Sequence, residues 1–392
     1  MEIKRRHKIV NRIASPIINL YLDIKFRYKC KRVKIKPPFL VLCNHTLDFD
    51  PFFVAKAFSC PIYFVMSDHV SSLKAGKLIK HLVAPIPITK SSVDAETTRN
   101  IFEVIRQGGA VGIFPEGNKS FAGENSWIKP STAKLCKKLG VPVVLYNIKG
   151  GYLSSPRWSK IKRKGKIWGE PSKILSVQDL NRLSVDEIYA EILNGLRVNA
   201  YEIQKQKKIK YKAPNRAETI ESLLYACPNC GSFCTVYGKN NDVFCSNCDL
   251  HAHYDEFGYL QNCALKTLAE CDHQQKQLLL KVDARKYDSS PIFEDKNWEV
   301  QLKKDKYYSE ILGKFNLSAH CAKLVLEPAS NNREPIVLPI QDIIGSAVEG
   351  ACSLQLWMRG GAVYRLKNTN GINGLKYINW IDKINGRLPY RF

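Results

Sequence analysis

The chain has 392 residues, enough for two or three domains and a full hydrophobic core. Its formal net charge of +24 indicates a polyanionic partner, either a nucleic acid or an anionic membrane face. No apolar run approaches the roughly 20 residues of a spanning helix, and no signal-peptide core follows the N-terminal charges. We therefore expect a cytoplasmic protein that is peripheral on the inner face of a membrane. The thirteen scattered cysteines favour free thiols in a reducing compartment.

Residues 1–36 form a basic segment with apolar residues spaced among the charges. The segment holds twelve Lys or Arg residues against two acidic residues. This pattern predicts an amphipathic helix, broken or kinked near Pro16, that lies in the headgroup layer of an anionic membrane. The alternative is a solvated basic helix that covers the core.

The next stretch places a histidine and a carboxylate at a fixed offset behind an apolar run. Pro38 to Leu42 suits a buried strand, and Pro51 suits the first turn of a helix. His45 and Asp50 would lie far apart around a single regular helix, so they meet only if His45 lies in the loop. The plainer alternative is that Asp50 caps the helix and His45 is an ordinary polar loop residue.

From residue 38 to about 150, short apolar runs alternate with longer mixed segments. This predicts an α/β domain with a mixed sheet and surrounding helices, which we place at residues 37–203, followed by a polar linker at 204–221. The helical apolar period of Ala95 to Arg106 predicts one of those helices. The expected strands are Phe39–Leu42, Ile62–Val65, Ala110–Phe114 and Val141–Ile148.

Four short motifs of this domain resemble the conserved boxes of the glycerolipid acyltransferase family, the lysophosphatidate (1-acyl-sn-glycerol-3-phosphate) acyltransferases in particular. The family's marks are an N-H-x4-D box and an F-P-E-G box, and both occur here in that order, about 65 residues apart. Lys90 and Lys119 stand where the family usually has arginine. Lysine keeps the positive charge but loses the bidentate fork of arginine. The four motifs are Asn44-His45-Thr46-Leu47-Asp48-Phe49-Asp50, Pro85-Ile86-Pro87-Ile88-Thr89-Lys90, Phe114-Pro115-Glu116-Gly117-Asn118-Lys119-Ser120 and Val141-Pro142-Val143-Val144.

The resemblance implies an acyltransferase of phospholipid biosynthesis. It implies that His45 deprotonates the sn-2 hydroxyl of a 1-acyl-glycerol 3-phosphate, that Asp50 orients His45, and that the donor is a thioester of coenzyme A or of an acyl carrier protein. In this reading the two lysines hold the acceptor's phosphate and Glu116 holds the loop or the glycerol portion. Because the phosphate-binding positions carry lysine, glycerol 3-phosphate or another lysolipid is the alternative acceptor. The implied substrate-binding residues are Lys90, Glu116, Gly117 and Lys119.

Two C-x2-C knuckles with fourteen residues between them have the spacing of a zinc ribbon, which we place at residues 222–260. Four thiolates make a closed tetrahedral site, so the expected Zn²⁺ is structural; a redox pair is the alternative. A nucleic-acid-binding zinc-ribbon protein with an inactive acyltransferase-like domain is a second functional alternative. The basic clusters at the N-terminus and at 157–173 lie away from the ribbon, so nucleic acid is not the expected partner. The predicted metal ligands are Cys227, Cys230, Cys245 and Cys248.

The C-terminal part reads as a helical connector at residues 261–289 and a β-rich domain at 290–392. About six alternating runs and a final helix from about Gly371 to Ile384 predict a small barrel-like domain capped by a helix. The domain resembles a pleckstrin-homology-like fold in pattern alone. The expected runs are Trp298–Leu302, Tyr307–Leu312, Leu317–Leu326, Ile336–Val348, Ser353–Met358 and Val363–Leu366.

Overall fold

The chain divides into two compact units. The computed structural model describes residues 3, 5–67, 85–88, 95–303, 309–330, 333–349, 353–368 and 373–388. Unit 1 comprises Met1–Pro156 and Arg163–Lys212, and unit 2 comprises Arg157–Lys162 and Ala213–Phe392.

Unit 1 is built on a seven-stranded mixed sheet in the order β1-β7-β6-β2-β5-β3-β4. Among the described strands the pairings are parallel, except that β6 pairs antiparallel with β7. The strands are β1 (Lys29–Cys30), β2 (Phe39–Cys43), β3 (Ile62–Ser67), β4 (Ile86–Ile88), β5 (Ala110–Ile113), β6 (Val143–Lys149) and β7 (Trp168–Leu175). The helices are α1 (Arg5–Phe26), α2 (Asp50–Ala55), α3 (Ala95–Arg106), α4 (Ser131–Leu139), α5 (Gly151–Ser154), α6 (Val177–Arg182), α7 (Val185–Leu196) and α8 (Ala200–Lys207).

The central strand β2 shows why the apolar runs predicted the sheet. All five of its residues are buried, and successive side chains point to opposite faces. Phe39 and Val41 pack into a core with Phe53, whereas Leu40 and Leu42 pack into a second core with helix α7 residues such as Ile188. Both faces of the sheet are therefore covered, as expected of parallel strands with continuous apolar sequence. The predicted α/β sheet is confirmed.

Three central strands bring their carboxyl ends side by side. Leu42 of β2 pairs with Ile113 of β5, and Cys43 of β2 pairs with Tyr146 of β6. The histidine box follows β2, and the F-P-E-G box follows β5. Because ligand sites of open α/β sheets lie beyond these strand ends, the topology places the two boxes in one site region.

Helix α1 is the amphipathic segment that the N-terminal pattern predicts. It runs through Pro16 without a break. Leu22 and Phe26 are buried on the face that packs against the rest of unit 1. The opposite face carries apolar side chains that are each at least 51% exposed, namely Ile9, Ile13, Ile17, Leu20 and Ile24. No helix within the described ranges is both long enough and apolar enough to cross a membrane.

Unit 1 continues beyond its sheet into the segment predicted as a linker. Asn199 caps α8 by accepting hydrogen bonds from the backbone N–H groups of Tyr201 and Glu202, at 2.8 and 3.1 Å. Helix α8 therefore occupies the first residues of the 204–221 segment, and Tyr211 beyond it is buried.

The first part of unit 2 holds a four-stranded antiparallel sheet in the order β11-β10-β9-β8. Its strands are β8 (Val236–Lys239), β9 (Asp242–Cys245), β10 (His251–Tyr254) and β11 (Leu260–Gln261). Helix α9 (Leu268–Lys281) follows, and Thr267 and Glu270 form a capping box at its start. Short 3₁₀ turns lie at Ile220–Ser222 and Ala284–Tyr287. The helical connector is thus shorter than the predicted range.

The second part of unit 2 is a seven-stranded antiparallel sheet in the order β15-β14-β13-β12-β18-β17-β16. The predicted β-rich region with a final helix is confirmed, but two expected runs are each two strands: 317–326 turns between Ala319 and Lys323, and 336–348 is divided by a 3₁₀ turn at Ile340–Asp342. The elements are β12 (Phe293–Lys303), β13 (Ser309–Ala319), β14 (Lys323–Pro328), β15 (Ile336–Pro339), β16 (Ile343–Glu349), β17 (Ser353–Met358), β18 (Val363–Lys367) and α10 (Gly374–Ile384).

Candidate active site

His45 and Asp50 meet in the loop between β2 and α2. Nδ1 of His45 lies 2.9 Å from Oδ2 of Asp50. The Asp50 side chain is fully buried, whereas that of His45 is 21% exposed. The contact occupies Nδ1, which leaves Nε2 as the nitrogen that can exchange a proton with a substrate. The structure thus brings together the two residues that the first box singled out.

The hydrogen bonds of Asp50 separate an orienting carboxylate from an ordinary helix cap. A capping side chain accepts from the backbone of its own helix, two or three residues ahead. Oδ2 of Asp50 instead accepts from the backbone N–H groups of Thr46 and Leu47, at 2.5 and 2.8 Å. The carboxylate therefore holds the loop that carries His45, and the helix-cap alternative does not describe it.

Two neighbours fix the remaining freedom of the histidine loop. The Asn44 side chain pairs with the backbone of Ile148 in β6, donating to its carbonyl at 2.9 Å and accepting from its N–H at 2.7 Å. The Phe114 ring at the end of β5 stacks on the His45 imidazole, with centroids 4.6 Å apart. His45 is thereby positioned by all three central strands.

Glu116 lies behind His45 and is largely buried. Its Oε1 accepts hydrogen bonds from the His45 backbone N–H at 3.1 Å and from the Asn125 side-chain amide at 2.8 Å, and its Oε2 accepts from the Ser126 N–H at 2.6 Å. Burial raises the pKa of Glu116 to about 7, and the three N–H donors oppose that rise. We expected Glu116 to hold either the loop or the glycerol portion of the acceptor. These contacts fit the first role, because all three donors belong to the surrounding loops.

The loop after Glu116 makes contacts that the sequence did not predict. The Oδ1 atom of Asn125 accepts from the Val198 N–H at 2.6 Å, so Asn125 bridges Glu116 to the end of α7. The Ser120 N–H donates to the His45 carbonyl at 2.9 Å. These partners depend on how the loop folds back, and no spacing in the sequence announces them. Gly117 permits the turn, because its φ of +66° lies in the left-handed region.

Lys119 is the predicted phosphate-binding residue that the structure describes, and Lys90 lies outside the described residues. The Nζ atom of Lys119 lies 2.8 Å from Oδ1 of Asp48. The Lys119 side chain is 17% exposed, and that of Asp48 is 82% exposed. The Lys119 ammonium group, which we expected to bind the acceptor's phosphate, is therefore paired with a second carboxylate of the histidine box, that of Asp48.

The four predicted metal ligands form a cluster in unit 2. Their sulfur atoms all lie within 4.8 Å of one another. The Sγ–Sγ distances are 3.7 Å for Cys227 with Cys248 and 3.9 Å for Cys230 with Cys245. Four thiolates about 2.3 Å from one Zn²⁺ would lie about 3.8 Å apart, so the cluster has the size of a tetrahedral zinc site. Within the described residues, this cluster alone brings three or more His, Cys, Asp or Glu side chains close enough together to hold a metal.

The chain shows similarities to known proteins. A family model described as Acyltransferase matches residues 24–149, within unit 1. The 1-acyl-sn-glycerol-3-phosphate acyltransferase of Borreliella burgdorferi is 23% identical over 121 residues, which cover 30% of this chain and 48% of that protein. The chain thus spans about half the length of that relative. A probable 1-acyl-sn-glycerol-3-phosphate acyltransferase of Mycoplasma genitalium is 27% identical over 203 residues, covering 49% of this chain and 75% of that protein.

Among solved structures, the chain resembles the crystal structure of a 1-acyl-sn-glycerophosphate acyltransferase from Thermotoga maritima. The TM-score is 0.41 at 17% sequence identity, over 50% of this chain and 83% of that chain. The chain is thus similar to acyltransferases, and the family model locates this similarity within unit 1.

Proposed function

We propose that unit 1 transfers a fatty acyl group from an acyl thioester to the sn-2 hydroxyl of 1-acyl-glycerol 3-phosphate, which yields phosphatidate. The observation that carries this proposal is the contact between His45 Nδ1 and the buried Asp50 carboxylate. The names of the two curated relatives supply the substrate class.

The proposed chemistry is general-base catalysis by His45. Nε2 takes the hydroxyl proton as the acceptor oxygen attacks the thioester carbonyl, and Asp50 stabilises the imidazolium that forms. The new ester C–O bond forms, the C–S bond breaks, and the proton passes from His45 to the departing thiolate. The acceptor oxygen is itself the nucleophile, so the step requires no acyl-enzyme.

An acceptor panel tests this function. Purified protein receives one acyl thioester, presented either on coenzyme A or on an acyl carrier protein, with lysophosphatidate, glycerol 3-phosphate or a lysolipid that has no phosphomonoester. We expect the largest kcat/KM with lysophosphatidate. Turnover only with glycerol 3-phosphate or with the diester lysolipid would replace the proposed acceptor, and no ester product with any acceptor would remove the activity.

The placement of charge supports an anionic membrane as the partner of unit 1. Unit 1 carries 36 of the 60 Lys and Arg residues but only 16 of the 36 Asp and Glu residues, which leaves unit 2 nearly balanced. The apolar stripe of α1 lies in the same unit as this excess. An interfacial helix combines an exposed apolar face with cations that meet anionic headgroups, and unit 1 supplies both.

Vesicle sedimentation tests the membrane contact. Wild-type protein should pellet with vesicles of phosphatidylcholine and phosphatidylglycerol, and replacing Ile13 and Ile17 together by Asp should abolish pelleting because charge on the stripe opposes insertion. Ile174→Asp alters an exposed apolar residue of β7 and is the matched control. Equal pelleting of all three proteins would contradict the contact, as would tighter binding to RNA than to vesicles.

We also propose that the four-cysteine cluster holds one structural Zn²⁺. The metal would lock the two knuckles together, and the closed set of ligands leaves no open position for a substrate. Elemental analysis should find about one zinc per chain, and the double change Cys227→Ser with Cys230→Ser should lose it. Cys321→Ser, outside the knuckles, should keep it. Zinc-free wild-type protein would refute this site.

A further inference from the structure

The ion pair between Lys119 and Asp48 lies beside the histidine box. Asp48 is three residues after His45, and Lys119 precedes Ser120, whose N–H donates to the His45 carbonyl. The Lys119 side chain is largely covered, so its position is confined, whereas Asp48 is 82% exposed. The lysine is therefore confined at the site, whereas the carboxylate lies at the surface, where water can compete for the pair.

The ion pair between Lys119 and Asp48 is weak enough for another anion to replace Asp48. An ion pair with an exposed partner is weak, because water screens it and the side chain loses conformational entropy in holding it. A phosphomonoester carries more negative charge than a carboxylate and offers three acceptor oxygens to an ammonium group. An arriving phosphomonoester can therefore displace Asp48 from Lys119.

We propose that Asp48 is an internal competitor for the acceptor's phosphate on Lys119 and so lowers the affinity of the site for phosphomonoesters. This inference rests on the proposed acyl transfer. Free phosphate must displace Asp48 using its charge alone. A lysophosphatidate also gains from burial of its acyl chain, which offsets the displacement. Asp48 thereby lowers the affinity for both ligands by a similar factor, and burial of the acyl chain compensates for this loss only in lysophosphatidate.

Kinetics of Asp48→Asn test the competition. The variant should lower the KM for lysophosphatidate about three- to tenfold, because a competing charge about 4 Å from the phosphate is removed, and it should leave kcat within about twofold. Inorganic phosphate should become a stronger inhibitor by a similar factor. The matched control is Glu191→Gln, which removes a carboxylate from the surface pair with Lys173 in the same unit and should change neither value.

A second variant separates competition from simple repulsion. In a Lys119→Gln background, competition predicts that Asp48→Asn no longer changes the KM by more than about twofold, because the contested cation is gone. An unchanged or raised KM for Asp48→Asn alone overturns the inference, and so does an equal fall in KM in the presence and absence of Lys119.

A binding measurement keeps this test independent of turnover. Titration of glycerol 3-phosphate followed by ³¹P NMR should show tighter binding to Asp48→Asn than to wild type, with Glu191→Gln unchanged. Tighter binding without any acyl transfer supports the competition and refutes the proposed function. Acyl transfer with identical binding to wild type and Asp48→Asn refutes the competition alone.

Discussion

Asp50 and Asp48 belong to one box, and each pairs with a cation or a base, but their surroundings differ. Asp50 is fully buried and accepts backbone hydrogen bonds from Thr46 and Leu47 in addition to its contact with His45. Asp48 is mostly exposed and pairs with Lys119. Burial with several donors fixes a carboxylate in one geometry, whereas exposure leaves it exchangeable. The roles we propose for the two carboxylates, orienting His45 and competing for Lys119, therefore follow from their positions relative to solvent and not from residue type.

The sharpest way to break this comparison is to make the same chemical change at both positions. Asp50→Asn should lower kcat by about a thousandfold to ten-thousandfold, because an amide cannot stabilise the imidazolium and favours the wrong tautomer. Asp48→Asn should keep kcat. Asp186→Asn, at the start of α7, controls for loss of a carboxylate elsewhere in unit 1. Similar kcat losses for Asp50→Asn and Asp48→Asn would end the distinction between them.

Glu116→Gln extends the comparison to a third carboxylate near His45. The amide nitrogen of glutamine would face an N–H donor, either that of Ser126 or those of His45 and Asn125. Because one unsatisfied buried polar group costs about 1–3 kcal/mol, we expect a fall in kcat of about five- to a hundredfold from misplacement of His45. A large rise in KM with unchanged kcat would instead indicate that Glu116 binds the acceptor.

The raised pKa of Glu116 makes a prediction about stability. Between its ordinary value of 4.5 and about 7, the folded state holds a proton on Glu116 that the unfolded state has released. Stability from this group is therefore present below pH 4.5 and is lost as pH rises through 7. Relative to Glu116→Gln, wild type should lose about 2–3 kcal/mol of unfolding free energy between pH 5 and pH 8 in urea melts. A pH-independent difference would show that the carboxylate is not buried as described.

Asn125→Ala should have the smallest effect in this series. The change removes one donor from Glu116 and one acceptor from the Val198 N–H, two contacts away from the reacting atoms. We expect kcat to fall about three- to tenfold with little change in KM, because a lost hydrogen bond is worth about 0.5–1.5 kcal/mol. Asn194→Ala on the exposed side of α7 is the control. A kcat equal to that of the control would show that Asn125 does not help to position His45.

Much of this arrangement could be predicted from local sequence. Apolar runs locate the strands, and the carboxyl ends of parallel neighbours then bring the two boxes together. The spacing of apolar residues along α1 predicts its two faces. Two C-x2-C knuckles at the spacing of a zinc ribbon predict the four-cysteine cluster. In each case the interaction lies within one element, between adjacent strands or between two motifs of fixed spacing, so spacing carries the information.

The rest depends on how loops fold back over the strand ends. Asp48 meets Lys119 across 71 positions, and Val198 meets Asn125 across 73. Asp48 and Lys119 each lie in a recognised box, but no spacing predicts that they pair, because both contacts arise from the path of the loop after Gly117. Within the box, the motif singles out Asp50 but does not predict the partner of Asp48, and only the folded chain shows that Asp50 is buried and Asp48 exposed.

The measurement that bears most directly on the central claim is the rate of acyl transfer by His45→Ala. With lysophosphatidate and an acyl thioester, loss of the general base should lower kcat about a hundredfold to ten-thousandfold, while the protein stays folded by circular dichroism. A folded His45→Ala protein with near wild-type kcat would contradict the assignment of His45 and Asp50 as the acyl-transfer site.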